Sequence, residues 1–352
     1  MLKIKIERAP APAWVRTIIP LVAILVTFLI TLIFIFWVDA DPWQAYYYFL
    51  IAPFTSTVSL IELLVKSTPL LLTGSAVAFA FTAGYYNIGA EGQLFAGAIV
   101  GAGLGMALEG LTQGVAVPLM IIGGFLGGLI WALLPALLKV RLKVDEVVTT
   151  LLMNSIIFFL VSYLLNGPWR DPVSMWPQSP EIAPCAMFMR IIPRSRLHFG
   201  FVLGIITILV IWYVIYRTSM GLKMRAVGLG FEAARFAGID VNRTILIAAL
   251  VSGGIAGLAG VGEVAGIHFH LIEGLSSNLG YTGIIVATLG ALNPFGVLIA
   301  ALFLGLIDTG ALAISRDLGV PVYLGQVVEA SLLLVTLGMF VLTHYQIKFV
   351  RE

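Results

Sequence analysis

The chain has 352 residues, 60% of them hydrophobic and only 11% charged, with a mean hydropathy of +1.04 and a formal net charge of +2. A soluble domain carries roughly 25% charge because its surface must face water, so this composition excludes a free-standing soluble protein and requires lipid to cover the chain. The single cysteine, Cys185, excludes an internal disulfide and a cysteine-based metal centre.

The expected fold class is all-α: a polytopic helical membrane protein, read as one transmembrane domain over 1–352 with its membrane bundle over 17–346. Crossing a bilayer takes about 20 apolar residues at 1.5 Å each. The opening "MLKIKIERAPAPAWVRTIIP" sets basic residues before an apolar run at 17–37. That run is too long for a signal-peptide core and lacks a small-residue cleavage site, so it reads as a retained first span. Further segments follow at 58–82, 88–108, 114–138, 147–165, 199–216, 244–263, 281–292, 295–314 and 323–346, ten in all. The eighth, 281–292, is too short to cross unaided and reads as a half-helix or re-entrant piece with discontinuous character.

The basic residues set the expected orientation. With the N-terminus inside, Lys3, Lys5, Arg8, Arg16, Lys139, Arg141, Lys143, Arg217, Lys223, Arg225, Arg235, Arg243, Lys348 and Arg351 fall on the cytoplasmic side. Lys66, Arg170, Arg190, Arg194, Arg196 and Arg316 fall outside or within the membrane, so the positive-inside rule favours cytoplasmic termini by fourteen to six.

Between the second and third spans lies "AGYYNIGAEGQLFAGA", residues 83–98. Asn87 is a candidate N-cap, Glu91 falls in the first helical turn where the positive end of the dipole favours a carboxylate, and Gln93 follows. Either this is an ordinary capped helix start near the interface, or it is a discontinuous helix whose polar start faces a transport path. A second interruption, "EVAGIHFHLIEGLSSNLGYTGIIVATLGALNPFG" over 263–296, carries Asn278 and ends at Asn293-Pro294. Two interrupted segments, one in each half, point to a path lined by Asn87, Glu91, Gln93, Asn278 and Asn293. Glu62 and Lys66, four residues apart, are placed to pair, and Asp308 is expected to face the interior of the bundle.

The loop at 166–198 is rich in proline and tryptophan and reads either as a lid or receiving surface on the outside, or as a surface linker. Glycines four apart, at Gly97/Gly101/Gly105, Gly123/Gly127, Gly124/Gly128, Gly253/Gly257 and Gly262/Gly266, predict helix faces in close contact. No phosphate-binding GxxxxGK[ST], HExxH or GxSxG pattern occurs, so catalysis has no constellation to stand on. The closely spaced His268 and His270 point apart on a helix, which disfavours a metal site there.

The segment 217–243 is too polar for lipid and too patterned for a linker. "FEAARFA" predicts a short helix with Glu232 and Arg235 as an i,i+3 pair and Gly238 as its C-terminal cap. Such an element suits docking into a partner's groove, or is an ordinary amphipathic loop helix.

"GLKMRAVGLGFEAARFAGIDVNRTILIAALVSGGIAGLAG" resembles the signature of bacterial ABC-importer permeases of the branched-chain amino acid and simple-sugar class. "YNIGAEGQLFAGA" and "GYTGIIVATLGALNPFG" are similar to the nucleoside-type subgroup, with Tyr86 standing where that subgroup usually has phenylalanine, and the resemblance covers roughly residues 60–345. It implies that the 217–243 segment couples to an ATPase through Arg225, Gly228, Glu232, Ala233, Ala234, Arg235 and Gly238. It further implies a partner ATPase with two nucleotide-binding cassettes, a second related permease and an external lipid-anchored substrate-binding protein, in a bacterial inner membrane. No cofactor, metal or nucleic acid is called for. The expected cargo is a nucleoside, with a simple sugar or branched-chain amino acid as the alternative. A stand-alone ion-coupled transporter using Glu91 or Asp308 is the remaining reading.

Overall fold

The structure is a computed structural model that describes the backbone of residues 2–8 and 13–351, and side chains between 18 and 339 save for a few near either end. The terminal basic residues Lys3, Lys5, Arg8, Arg16, Lys348 and Arg351, used above for orientation, have side chains outside the described set. In chain order the helices are α1 (Ala13–Trp37), α2 (Pro42–Leu50), α3 (Thr57–Thr82), α4 (Ala90–Ala107), α5 (Gln113–Leu137), α6 (Glu146–Asn166) and α7 (Phe199–Arg217). Then come α8 (Ser219–Leu229), α9 (Phe231–Phe236), α10 (Val241–Glu263), α11 (Leu279–Leu289), α12 (Pro294–Leu318) and α13 (Tyr323–His344). A helix lies over each of the ten segments expected from hydropathy, and α11 has the short length expected for the eighth. Among the described residues, six helices are long and apolar enough to cross a membrane by length and composition, so the chain is a multi-pass membrane protein.

The chain divides into two compact units. One comprises 1–59 and 306–352, the other 60–305. In the first, Leu2–Arg8 pairs antiparallel with Tyr345–Arg351. Hydropathy gave no sign of α2, because "PWQAYYYFL" is far too short to span; Asp41 starts it by accepting from Trp43 N–H at 2.8 Å. Tyr46 on α2 donates its hydroxyl to the Phe28 carbonyl on α1, and its ring stands edge-on to Phe28 at 5.3 Å. Asp308 is half-buried within this unit.

The second unit is built around α4, α5 and α10. Lipid supplies no hydrophobic drive between helices, so close backbone approach must hold them. A Cβ on Gly97 of α4 would run into the backbone of Gly257 on α10, and one on Gly128 of α5 would run into Gly253 O of the same helix. Gly260 sits equally tightly against Leu94 O. The glycine spacing thus marks a three-helix contact, with Leu94, Ala98, Met120 and Val261 fully buried beside it.

The 166–198 loop is fixed along much of its length. Ser179 N–H donates to Leu271 O at 2.9 Å, Ile182 N–H to Phe269 O at 3.0 Å, and Phe188 N–H to Ala265 O at 2.8 Å. Ile182 and Phe188 belong to the buried core, so the loop forms a packed layer over 264–272. Arg196 from this loop forms the ion pair with Glu62, in place of the Glu62–Lys66 pair expected from spacing. The loop brings a guanidinium to Glu62, a contact that spacing along one helix does not reveal. His268 lies 3.7 Å from Glu263 while His270 contacts Ser179 O at 2.8 Å, so the two histidines serve different partners.

The loop ends at His198, which caps α7: its Nδ1 accepts from Gly200 N–H at 3.1 Å, and the ring packs where any side chain on Gly266 would collide. Burial pushes the His198 imidazole down to about 4, and the nearby Arg190 acts in the same direction. An unfolded histidine takes up a proton near pH 6.5, so between there and about 4 the unfolded chain binds more protons than the folded one. The stability lent by the neutral ring is therefore complete above pH 6.5 and declines as pH falls toward 4. Thermal unfolding in detergent across pH 4–7 should show this decline in the wild type, and His198→Asn, which keeps a capping oxygen but no ionisable ring, should flatten it.

Candidate functional site

The segment that breaks the chain between α3 and α4 is stitched by side chains from α4, α6 and α10. Asn87 is fully buried, and its amide pairs with that of Gln93 in both directions, Nδ2 to Oε1 at 2.8 Å and Nε2 to Oδ1 at 3.1 Å. Its Nδ2 also donates to Ser252 Oγ on α10 at 2.9 Å, and Ser252 in turn donates to Ala76 O on α3 at 2.6 Å. Asn87 does not cap α4 as its position suggested. Gly89 takes the capping position and Asn87 Oδ1 accepts from the Gly89 N–H at 2.9 Å, so the asparagine stands one step too early.

The cap comes from another helix. Asn154 on α6 accepts at Oδ1 from Gly92 N–H in the first turn of α4 at 2.9 Å, and donates to Ile88 O and to the Tyr281 hydroxyl, each at 3.0 Å. Thr150, one turn earlier, accepts from Ile88 N–H at 3.3 Å. Asn154 and Thr150 thus hold the interruption on both sides. The sequence gives no sign of this role, because both sit inside an ordinary apolar span with no motif around them.

The second interruption meets the first here. Gly280, in the first turn of α11, packs against α4 so closely that a Cβ would strike Glu91 N and Cα and come within 2.7 Å of Ala90 C. Two helix N-termini therefore converge, each presenting N–H groups without a partner in their own helix and the positive end of its dipole. Glu91 lies between them: it sits in the first turn of α4, and its Oε2 accepts from Gly280 N–H of α11 at 2.7 Å. One buried carboxylate thus serves both positive ends. Asn278 precedes α11 with φ +69°, a left-handed conformation that asparagine tolerates better than most residues.

Beside this junction is a cavity of about 310 Å³ lined by Glu91, Phe95, Asn154, Ser155, Phe158, Phe159, Ser276, Asn278 and Tyr281. Four aromatic residues share the lining with amide and hydroxyl groups, and Glu91 is the one acidic residue among them. Of the five residues expected along a path, Glu91 and Asn278 line the cavity, while Asn87 and Gln93 lie buried behind it. Asn293 is elsewhere: its Oδ1 accepts from Phe295 N–H at 3.0 Å and starts α12. Among the described residues, no group of three or more His, Cys, Asp or Glu side chains could hold a metal.

The 217–243 segment carries α8 and α9. Glu232 and Arg235 form the i,i+3 ion pair at 2.9 Å. Gly238 closes α9 at φ +81°, with Gly238 N–H donating to Arg235 O and Ile239 N–H to Ala234 O, both at 3.0 Å, the double bond pattern of a glycine-terminated helix. Arg225 lies over the Tyr216 ring at 5.5 Å, Gly228 packs on the carbonyl of Thr82, Ala233 is exposed and Ala234 is buried. Leu229 and Phe236, which the sequence pattern did not single out, are 91% and 97% exposed.

Two interrupted helices meeting beside an open cavity of mixed polar and aromatic lining are the arrangement expected of a membrane transport component. The family described as "Branched-chain amino acid transport system / permease component" matches residues 59–341, and the chain belongs to that family. It is 32% identical to the guanosine ABC transporter permease protein of Bacillus subtilis, over 82% of each chain. It is 29% identical to a glucose ABC transporter permease protein of Haloferax volcanii, over 93% of this chain and 88% of that one. A nucleoside ABC transporter permease protein of Lactococcus lactis subsp. cremoris is also 29% identical, over 90% of each.

The junction allows a direct test. Gly280→Ala forces a methyl group against backbone that cannot yield, so the two N-termini must separate, at a cost of about 1–3 kcal/mol for an overpacked contact. Thermal unfolding in detergent should show that loss together with collapse of transport. Gly274→Ala, where a Cβ meets nothing within 4 Å, should leave both unchanged.

Proposed function

We propose that this chain is a membrane-spanning permease subunit of an ATP-driven bacterial inner-membrane importer and that its cargo is a nucleoside. The observation that carries the cargo reading is the cavity at the α4–α11 junction. Phe95, Phe158, Phe159 and Tyr281 offer faces on which a base can stack, an interaction of about 1–3 kcal/mol per base in other nucleic-acid sites. Asn154, Ser155, Ser276 and Asn278 offer donors and acceptors suited to base edges and ribose hydroxyls. A free amino acid would ask for counter-charges to both its ammonium and its carboxylate. The lining offers no basic side chain, and the Glu91 carboxylate already accepts from Gly280. The guanosine- and nucleoside-named relatives support the same cargo. A sugar is the second reading, favoured by the glucose-named relative and by the same aromatic and hydroxyl chemistry.

In this reading α8 and α9 lie on the cytoplasmic side with both termini and dock on an ATPase with two nucleotide-binding cassettes. Leu229 and Phe236 enter the partner's groove, with Arg225, Glu232, Arg235 and the glycine-capped end at Gly238 around them. Two nearly fully exposed large apolar side chains on a short stiff element are costly to leave in water and inexpensive to bury in a partner. A second related permease completes the membrane pathway, and an external substrate-binding lipoprotein delivers cargo to the outer face.

The test is uptake by the assembled complex in proteoliposomes. Guanosine should enter in an ATP-dependent manner and be displaced by other nucleosides, with glucose and leucine without effect; glucose uptake without guanosine uptake would move the assignment to the second reading. Phe236→Ala together with Arg235→Ala should strip the ATPase from the purified complex while the permease remains folded.

A further inference from the structure

The α8–α9 segment does not merely project from the bundle; it is seated on the turn that leads into the broken helix. Gly228 of α8 lies so close to Thr82 that a Cβ there would strike the Thr82 carbonyl oxygen. Phe231, the first residue of α9, packs on Gly84, where a Cβ would stand 3.0 Å from Cε1 and 3.2 Å from Cζ of the ring. Gly84 adopts φ +72°, a conformation that other residues enter only with strain, so both its backbone shape and the ring above it call for glycine.

The next residue continues the connection. Tyr85 is buried in a cluster with Val227 of α8, Ala234 of α9, and Val241 and Ile245 of α10. The Tyr85 carbonyl then accepts from Asn87 N–H at 3.0 Å, and Asn87 is the residue locked to Gln93 and Ser252. From Gly84 to Glu91 the chain runs only seven residues, with packing or hydrogen bonds along the way.

We infer that the 82–86 turn is the strut that carries movement of α8–α9 to the α4–α11 junction, with Gly84 and Phe231 as its positioning pair. The inference rests on the reading of α8–α9 as the ATPase-docking element. Neither residue touches the cavity, and neither is among the exposed side chains assigned to docking. A push on α9 reaches Gly84 through the Phe231 ring and the cluster around Tyr85, and the rigid amide lock at Asn87 passes it to the first turn of α4. Interiors packed this closely transmit a displacement rather than absorb it.

The test uses the intact complex with its ATPase, in a Cys185→Ser background carrying Ser276→Cys at the cavity. Maleimide labelling of that cysteine is followed before and after vanadate trapping of the ATPase with ATP, a readout that needs no cargo. In the otherwise unaltered chain, trapping should change the labelling rate by about tenfold, within the range of ordinary coupling factors. Phe231→Ala and Gly84→Ala should keep the ATPase bound at normal stoichiometry and abolish that change. Tyr85→Phe should preserve it, because the Tyr85 hydroxyl has no hydrogen-bond partner among the described residues.

If trapping changes the rate equally with and without Phe231→Ala, the strut is wrong while docking stands. If Phe231→Ala and the milder Phe231→Leu both release the ATPase, Phe231 is a docking residue and the strut is again wrong. If the unaltered chain itself shows no response to trapping, the docking reading fails and the strut fails with it.

Discussion

The arrangement depends on one carboxylate placed between two helix N-termini. Bringing the first turns of α4 and α11 together sets two positive dipole ends, whose N–H groups have no partner within their own helices, against each other. Glu91 belongs to one of these ends and accepts from the other at Gly280, so a single acidic side chain bridges the two. Gly280 makes the approach sterically possible, and Asn154 supplies the cap that Asn87 cannot. The cavity lies beside the point where these two helices begin, and residues from both starts line it.

Around that junction the unit is rigid by design of its packing. The glycine contacts among α4, α5 and α10 bring backbone against backbone, and such surfaces leave little room for gradual deformation. Motion is therefore expected at discrete elements: the turn at 82–86, the α8–α9 segment seated on it, and the short α11. The 166–198 loop, tied by backbone bonds to 264–272, belongs to the rigid part. This division assigns a mechanical role to the glycines that a count of small residues alone would treat as uniform. Gly97 and Gly257 serve contact, while Gly84 and Gly238 serve backbone shapes that other residues strain to reach.

Much of the fold was legible in the sequence because membrane helices announce themselves by length and hydropathy. The ten segments, the shortness of the eighth, the Glu232–Arg235 pair and the glycine cap at Gly238 all rest on local patterns. The candidate site was legible only in part. Glu91 and Asn278 stood out as polar residues beside interruptions, but the partner of Glu91 lies 189 residues away, and no local rule connects it to Gly280. Asn154 and Tyr281 were invisible because each is a polar side chain within an otherwise apolar run, where its direction depends on how the helices pack. The same limit explains Glu62. Its neighbour along the helix suggested a partner, but a loop more than a hundred residues on supplies Arg196. Asn87 stands out as a polar residue at a break, but its amide accepts from the Gly89 N–H one step ahead of the first turn and otherwise closes on Gln93 and Ser252.

If cargo occupies the cavity at the α4–α11 junction, as proposed, it should shield the lining from chemical labelling. In a Cys185→Ser background, a cysteine replacing Ser155 lies in the cavity lining on α6. Its alkylation is to be followed in the assembled complex with and without saturating guanosine. Guanosine should slow the reaction there, while a cysteine replacing Ser162, farther along α6 and outside the lining, should react at an unchanged rate. Equal rates at Ser155→Cys with and without a solute that the same complex imports would move the cargo site away from this junction.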